Sequence, residues 1–503
     1  MVRHYSKNPI DKLPNQIEGG LFMVGSKFSF FSLEQINSLR DRVFDLLENH
    51  GVKLDPHPEM LRILANAGVK VDNETGIIKI PQPVMENFIN QAPKNFSLGA
   101  RCQDRVLKLP RPDRTFYVRT GTGSHGWIDP ETNKYRKVMT VDLANWAKLI
   151  NGLDEISFMP FLFPNDVPRV TADIYGLSTL LKNTDKHILV QPYSTESIEY
   201  LINIGKTVAG GNKALKGNPL ISMITCALTP RAFKQMDIEI ILQSSRAGLP
   251  IHACSLPSAG STAPITPAAV ILLATAEILT ILAMAQAVAP GTPVVACPII
   301  FSVDMRTGRS LQSSVESLKC ASGAVQFIKA AYNLPTHNYG SGSDAPNVDG
   351  QSMSERSMLS MLMGVSGSDI FGGAGQLEVA TAVSPLQLIV DNEVVSMVRH
   401  IMQGINFDDD NLAWNIITET NPGDHFLASQ HTLQHCRDGF TPHNFTKLTR
   451  DTWENGGGKD LMDNVLEQYH ELMKGENRSL LSRDLATEID SIVKAANKKL
   501  VHQ

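Results

Sequence analysis

His252 and Cys254 stand two residues apart in LPIHACSL, so in an extended strand both point to one face. Cys226 and Cys297 occur in similar short apolar runs. Thiols and an imidazole can make a catalytic zinc site, three protein ligands around one open position, which a thiol or alcohol methyl donor requires as a Lewis acid. No local ligand motif accompanies them and cysteines of this kind are common in cores, so no bound metal is expected. His431 and His435 in SQHTLQH are one helical turn apart, a metal-binding spacing, but no third ligand lies nearby. GTGSHG at 121–126 satisfies GxGxxG, yet turn-like WIDPETNKYRK follows where a pyrophosphate site needs a helix N-terminus. These glycines are expected to let the loop bend. GxSxG and HExxH motifs are missing, which weakens any hydrolase reading. A different chemistry is suggested by rings: Tyr117, Phe163, Tyr193, Phe301 and Tyr339 fall on or beside short apolar runs, although aromatics make up only 6% of the chain. Ring faces attract quaternary ammonium groups, which cannot be hydrogen-bonded, while each ring taken singly also suits a core.

The elements that must position these residues are eight short, mostly apolar runs at 115–123, 156–163, 187–194, 219–226, 249–256, 293–301, 334–340 and 368–375. Helical patterns separate them, and their starts recur about every 30 to 45 residues, the length of a βα unit. Eight such units predict a (β/α)8 TIM barrel over 111–404, with ligands bound where the strand C-termini converge. Residues 1–110 read as an N-terminal accessory region, with a helix at 33–51 and a hairpin at 69–80. Residues 405–503 read as a mostly polar C-terminal helical extension, with the aromatic positions Trp414 and Trp453, packed on the barrel. The apolar run at 268–289 is long enough to span a bilayer, but Glu277 near its middle would cost roughly 2.5–3.5 kcal/mol there, so a buried barrel helix is expected.

With 503 residues, 42% hydrophobic and 19% charged, the chain is an ordinary globular protein. Its 46 Lys+Arg against 51 Asp+Glu give a charge of -5, and no basic block serves a nucleic acid. Six scattered cysteines without CxxC spacing imply reduced thiols, and 1–16 show no signal-type stretch, so a cytoplasmic protein away from membranes is expected. A homo-oligomer is compatible with all of this.

The motifs DMRTG at 304–308, GSGSDA at 340–345, GSDIFGGAGQLE at 367–378, LIVDNEVVSMVRHIMQGI at 388–405 and DHFLASQHTLQH at 424–435 together resemble the trimethylamine methyltransferase superfamily, from about residue 28 to residue 474. The resemblance implies a (β/α)8 barrel and a methylamine or betaine donor whose methyl group passes to a Co(I) corrinoid (cobalamin) on a separate corrinoid protein. Family members that demethylate trimethylamine carry pyrrolysine in the loop after the seventh strand, where this chain has Gly342. The chain therefore resembles the nonpyrrolysine branch, whose donors are quaternary amines such as glycine betaine. A quaternary nitrogen departs as a neutral tertiary amine and needs no activating side chain. On that basis Tyr117, Phe163, Tyr193, Phe301 and Tyr339 are candidates to surround the ammonium. Arg306 or His337 could hold a betaine carboxylate, unless Arg306 pairs with Asp304. Gly342 would leave room for substrate or corrinoid, and Asp344 would orient His337 or cap the following helix. The rivals are another donor, such as proline betaine or carnitine, a zinc-dependent methyltransferase, and a barrel that binds betaine without turnover.

Overall fold

The computed structural model describes residues 28–477 and 480–501; the segment 1–16, read above for a leader, lies outside them. Each of the eight apolar runs contains one strand: β1 (Tyr117–Thr120), β2 (Phe158–Pro160), β3 (His187–Val190), β4 (Ile221–Cys226), β5 (Ile251–Ser255), β6 (Val294–Pro298), β7 (His337–Tyr339) and β8 (Ile370–Ala374). They are hydrogen-bonded in parallel in the order β6-β5-β4-β3-β2-β1-β8-β7. A parallel bridge between Ala296 and Thr336 joins the two ends, with Ala296 N–H donating to the Pro335 carbonyl at 2.8 Å. A long helix follows every strand, from Thr140–Asn151 after β1 to Pro385–Met402 after β8. The fold is the (β/α)8 barrel that the alternation predicted. Its strands are buried on both faces because helices cover the outside and side chains fill the inside.

The apolar helix Pro267–Val288 belongs to this outer ring, between Gln235–Ala247 and Val315–Tyr332, with Gln82–Gln91 of the N-terminal region packed over it. Its one carboxylate explains itself. Glu277, fully buried, accepts hydrogen bonds from Ser255 Oγ (2.5 Å), Thr229 Oγ1 (2.8 Å) and the Arg231 N–H (2.8 Å), and so ties down the chain that leaves β4 and β5.

The N-terminal region contains the expected helix, Leu33–Asp45 continued by a π-helical turn at Leu46–His50, and the expected hairpin, Lys70–Val71 with Ile77–Lys79. Its strand Val52–Leu54 also pairs in parallel with Ala232–Phe233 of the loop after β4, so this region shares a sheet with the barrel. In the C-terminal segment, Leu461–Lys474 packs on Pro385–Met402 and Thr140–Asn151, and Arg483–Leu500 packs on Ala172–Asn183 and Ser197–Ala209. The stretch between the barrel and these helices departs from the expectation. Trp414 is 63% exposed, with Ile405 and Phe407 more so, and Trp453 hydrogen-bonds locally, its Nε1 donating to the Lys459 carbonyl at 2.6 Å.

One buried ion pair frames the end of β8. Arg356 on Gly350–Ser366 donates through Nη1 to Asp391 Oδ2 (2.6 Å) and through Nη2 to the Gln376 carbonyl (2.8 Å), while the same Asp391 oxygen accepts the Gly375 N–H (2.6 Å). Neither side chain is more than 1% exposed, and burial pushes the Asp391 carboxyl up although Arg356 draws it down. Removing one member leaves the other charge buried and unpaired, which typically costs about 3–5 kcal/mol. Asp391→Ala is expected to lose that much stability in urea unfolding and to loosen the chain around Gln376.

Candidate active site

At the C-terminal end of the barrel a cavity of about 160 Å3 is lined by Arg119, Gln191, Cys226, Asp237, Cys254 and Tyr339, among others. This lies well below the roughly 300–1,000 Å3 of pockets that take drug-sized ligands, so it suits a small molecule. A larger, open cleft of about 560 Å3 lies at the opposite end, beside Arg111, Asp113, Tyr117 and Lys186. Barrel enzymes work at the C-terminal face, and in the cleft the Lys186 ammonium is engaged with the carbonyls of Ile150, Leu153 and Ile156, a structural role. The smaller cavity is therefore the candidate site.

Beneath it the barrel interior is crossed by a chain of polar side chains. Arg119 Nε meets His337 Nε2 at 2.7 Å, His337 Nδ1 meets His252 Nδ1 at 3.0 Å, and His252 Nε2 meets Ser222 Oγ at 3.2 Å. Ser222 Oγ then meets His187 Nε2 at 2.8 Å, and His187 Nδ1 meets the Gly99 carbonyl at 2.9 Å. The two ends dictate every proton between them. A guanidinium only donates and a carbonyl only accepts, so His337 must be bare at Nε2 and protonated at Nδ1. His252 then accepts at Nδ1 and donates from Nε2 to Ser222, whose hydroxyl donates to His187 Nε2. His187 closes the series by donating from Nδ1 to Gly99. All three imidazoles are thus neutral. Burial agrees: it pulls His187 down to about 4 and holds His252 and His337 well below the usual histidine value, with Arg119 lowering both further.

Three thiols stand beside this chain. Cys226, Cys254 and Cys297 are register partners on β4, β5 and β6, and Cys297 Sγ lies 3.4 Å from His337 Nδ1. The hydrogen bond with Cys254 and burial hold the Cys226 thiol well above its ordinary value. For Cys254, the hydrogen bond with Cys226 lowers the thiol, but the one with Cys297 and burial outweigh it. Among the described residues no three His, Cys, Asp or Glu side chains converge as metal ligands.

The residues singled out from sequence are only partly brought together. Tyr339 lines the cavity, with Phe301 stacked at 6.2 Å between centroids and the Arg119 guanidinium 5.5 Å from its ring. Phe163 and Tyr193 form a second pair at 5.3 Å, beyond β2 and β3. Tyr117 belongs to neither pair. It begins β1 and lines the cleft at the far end, with Arg111 5.2 Å from its ring, because the strand starts two residues later than its apolar run suggests. Arg306 does not reach the cavity either: its side chain is 92% exposed in the DMRTG turn, 3.6 Å from Asp304. His337 lies in the buried chain under the cavity. Asp344 neither orients His337 nor caps the next helix, which Asp349 caps; it accepts the N–H groups of Gln312 (2.8 Å) and Ser313 (3.0 Å). Gly342 has φ +138°, and a Cβ there would stand 2.3 Å from Gln312 Nε2. After GTGSHG the chain enters a hairpin, Gly126–Ile128 with Tyr135–Lys137, instead of a helix.

Three residues escaped the sequence reading: Arg119, Gln312 and Gln376. Each is buried and holds a side-chain nitrogen without a hydrogen-bond partner. The available signal was Arg119 itself, a charge in the middle of the apolar run TFYVRTGTG. Gln376 lies beside the Tyr339 hydroxyl, and Gln312 beside Gly342.

A closed barrel with a small, polar-floored chamber at its C-terminal mouth defines an enzyme for a small substrate. The family model for trimethylamine methyltransferase (MTTB) matches residues 16–500, and the chain belongs to that family of corrinoid-dependent methylamine methyltransferases. It is 26% identical to the trimethylamine methyltransferase MttB of Desulfitobacterium hafniense over 96% of this chain and 97% of that protein. It is 27% identical to MttB of Methanosarcina barkeri, over 96% of this chain and 98% of that one. A glycine betaine methyltransferase of Desulfitobacterium hafniense is 27% identical over 85% of this chain and 88% of its own length. Among solved structures, the hydroxylamine complex of MtmB superposes with a TM-score of 0.52 at 12% identity, covering 92% of this chain and 91% of that one, which is a likeness of fold.

The neutral imidazole chain has a pH consequence. His187 titrates at about 4 and His252 and His337 well below their unfolded value of 6.5, so as the pH falls through 6.5 the unfolded chain binds more protons than the folded one. Stability is therefore complete above 6.5 and falls on acidification. Each group contributes a limiting slope of about 1.4 kcal/mol per pH unit, roughly 4 for all three. Urea unfolding at stepped pH is expected to show this loss beginning below 6.5, with a shallower slope in His252→Asn.

Proposed function

We propose that this methyltransferase takes a methyl group from glycine betaine, or a quaternary amine of similar size, and delivers it to the Co(I) corrinoid of a cognate corrinoid protein in the cytoplasm, leaving dimethylglycine in the betaine case. The observation that carries the reading is Gly342. The family resemblance implies pyrrolysine at this position in members that use trimethylamine, whereas here the backbone has a φ of +138° and Gln312 fills the space a Cβ would need. The donor must then bring its own leaving group. A quaternary nitrogen does so: when its N–CH3 bond breaks, the bonding pair stays on nitrogen and a neutral tertiary amine departs without a proton.

The corrinoid supplies a two-electron nucleophile that receives the methyl group. The chain's own task is positioning and exclusion of water. Tyr339, backed by Phe301, lines the cavity, and the Phe163–Tyr193 pair stands beyond Gln191 and Pro192 of its wall. Leu256, Ile265 and Met305, from loops at this end, are 36%, 63% and 68% exposed, a rim suited to the apolar edge of a corrin ring. Under this reading the catalytic unit is 111–404, with 1–110 and 405–503 as accessory segments.

Purified chain mixed with cob(I)alamin and single donors, followed by visible spectroscopy for methylcobalamin, tests the reaction. Transfer from glycine betaine, proline betaine or carnitine is expected, and turnover of trimethylamine with none of these active would overturn the reading. In the same assay Tyr339→Ala is expected to raise the donor KM at least about tenfold, the scale of one desolvated cation–ring contact.

A further inference from the structure

Arg119 is fully buried, and two of its three nitrogens have partners: Nε donates to His337 and Nη1 donates to the Thr120 carbonyl at 2.7 Å. Nη2 has none, in a residue that lines the mouth cavity. No carboxylate of the described residues lies within ion-pair distance of this guanidinium, although a buried charge ordinarily survives only when paired. The hydrogen-bonded histidines below hold it in one orientation, because His337 can only accept at Nε2. The lining contains one acid, Asp237. It is 6% exposed in the first turn of Gln235–Ala247, where Oδ2 accepts the Lys234 N–H at 3.0 Å. Arg119 is on β1 and Asp237 follows β4, so the two charges come from separate walls of one small chamber.

A chamber with an unpaired cation and a separate anion repels a simple ammonium ion at one wall and attracts it at the other. It complements a molecule that carries both charges. We propose that Arg119 Nη2 anchors the carboxylate of a zwitterionic donor while Asp237 faces its ammonium group. This rests on the quaternary-amine reading and narrows it to betaines, excluding choline and tetramethylammonium as good donors. The guanidinium offers the charge-assisted hydrogen bond that Arg306, out in solvent, cannot provide. The ammonium end has no N–H to donate, so charge and ring-face contact hold it.

The test uses the full-length protein and four probes that dissect the zwitterion: glycine betaine, choline, which lacks the anion, 3,3-dimethylbutyrate, which lacks the cation, and 3,3-dimethylbutanol, which lacks both. Binding is measured by calorimetry and thermal shift. The wild type is expected to bind betaine most tightly. Arg119→Gln is expected to weaken betaine and 3,3-dimethylbutyrate alike, by about 10- to 150-fold for one charged hydrogen bond, and to leave choline unchanged. Asp237→Asn, which keeps the oxygen that caps the helix, is expected to weaken betaine but not 3,3-dimethylbutyrate. Should Arg119→Gln fail to fold, Arg119→Lys keeps the charge without the planar fork and is expected to show the same selective loss, smaller in size. Wild-type binding of choline as tight as betaine, or folded Arg119 variants that hold both anions at full strength, would overturn the proposal. Selective loss of 3,3-dimethylbutyrate in Arg119→Gln, combined with no methyl transfer from betaine in the wild type, would leave the anion site standing and remove the proposed reaction.

Discussion

A guanidinium that can only donate and a backbone carbonyl that can only accept are connected through the middle of this barrel by three histidines and a serine. Barrel interiors are ordinarily filled by layers of branched apolar side chains. Here His337, His252, Ser222 and His187 occupy that space, and their burial is tolerated because each hydrogen bond has one permitted direction and every imidazole stays neutral. The arrangement turns the floor of the mouth cavity into a rigid mount for Arg119. A rotation of any one ring would leave two buried polar atoms unpaired, so the guanidinium cannot drift without breaking the series.

The outer parts of the molecule serve the same end. Arg356 and Asp391 lock the chain leaving β8, which places Gln376 beside Tyr339. Asp344 gathers the Gln312 and Ser313 amides, which sets Gln312 against Gly342. Glu277 does similar work for the loops after β4 and β5 from within an apolar helix. In each case a buried carboxylate is spent on backbone N–H groups near the mouth, and none of the three is available to protonate a leaving amine. That division of labour suits a reaction whose leaving group departs neutral.

Two pairs of residues show why the fold was easier to read than the site. Arg306 and Arg119 look alike as letters, and the sequence favoured the one in a turn motif. Folded, Arg306 points into solvent and Arg119 into the chamber, because position along a barrel strand, not local motif, decides what faces the active end. Tyr117 and Arg119 share a face of β1, yet two residues, about 7 Å of extended chain, carry the side chain from one end of the barrel to the other. The ring candidates suffered likewise: Phe301 with Tyr339 and Phe163 with Tyr193 are real pairs, but they stand on different walls.

Alternation of apolar runs and helical patterns, read along the chain, was enough to determine eight parallel strands and a closed barrel, since parallel neighbours demand long crossovers and eight of them fill a ring. Motif order was enough for the family. Which charges meet was decided only by closure of the sheet. His187, His252, His337 and Arg119 are separated by up to 218 positions in sequence, and nothing local marks them as one hydrogen-bonded series. Their direction, their neutrality and the unpartnered Nη2 group at their end are properties of contacts across the ring, which exist only once its first and last strands are brought together.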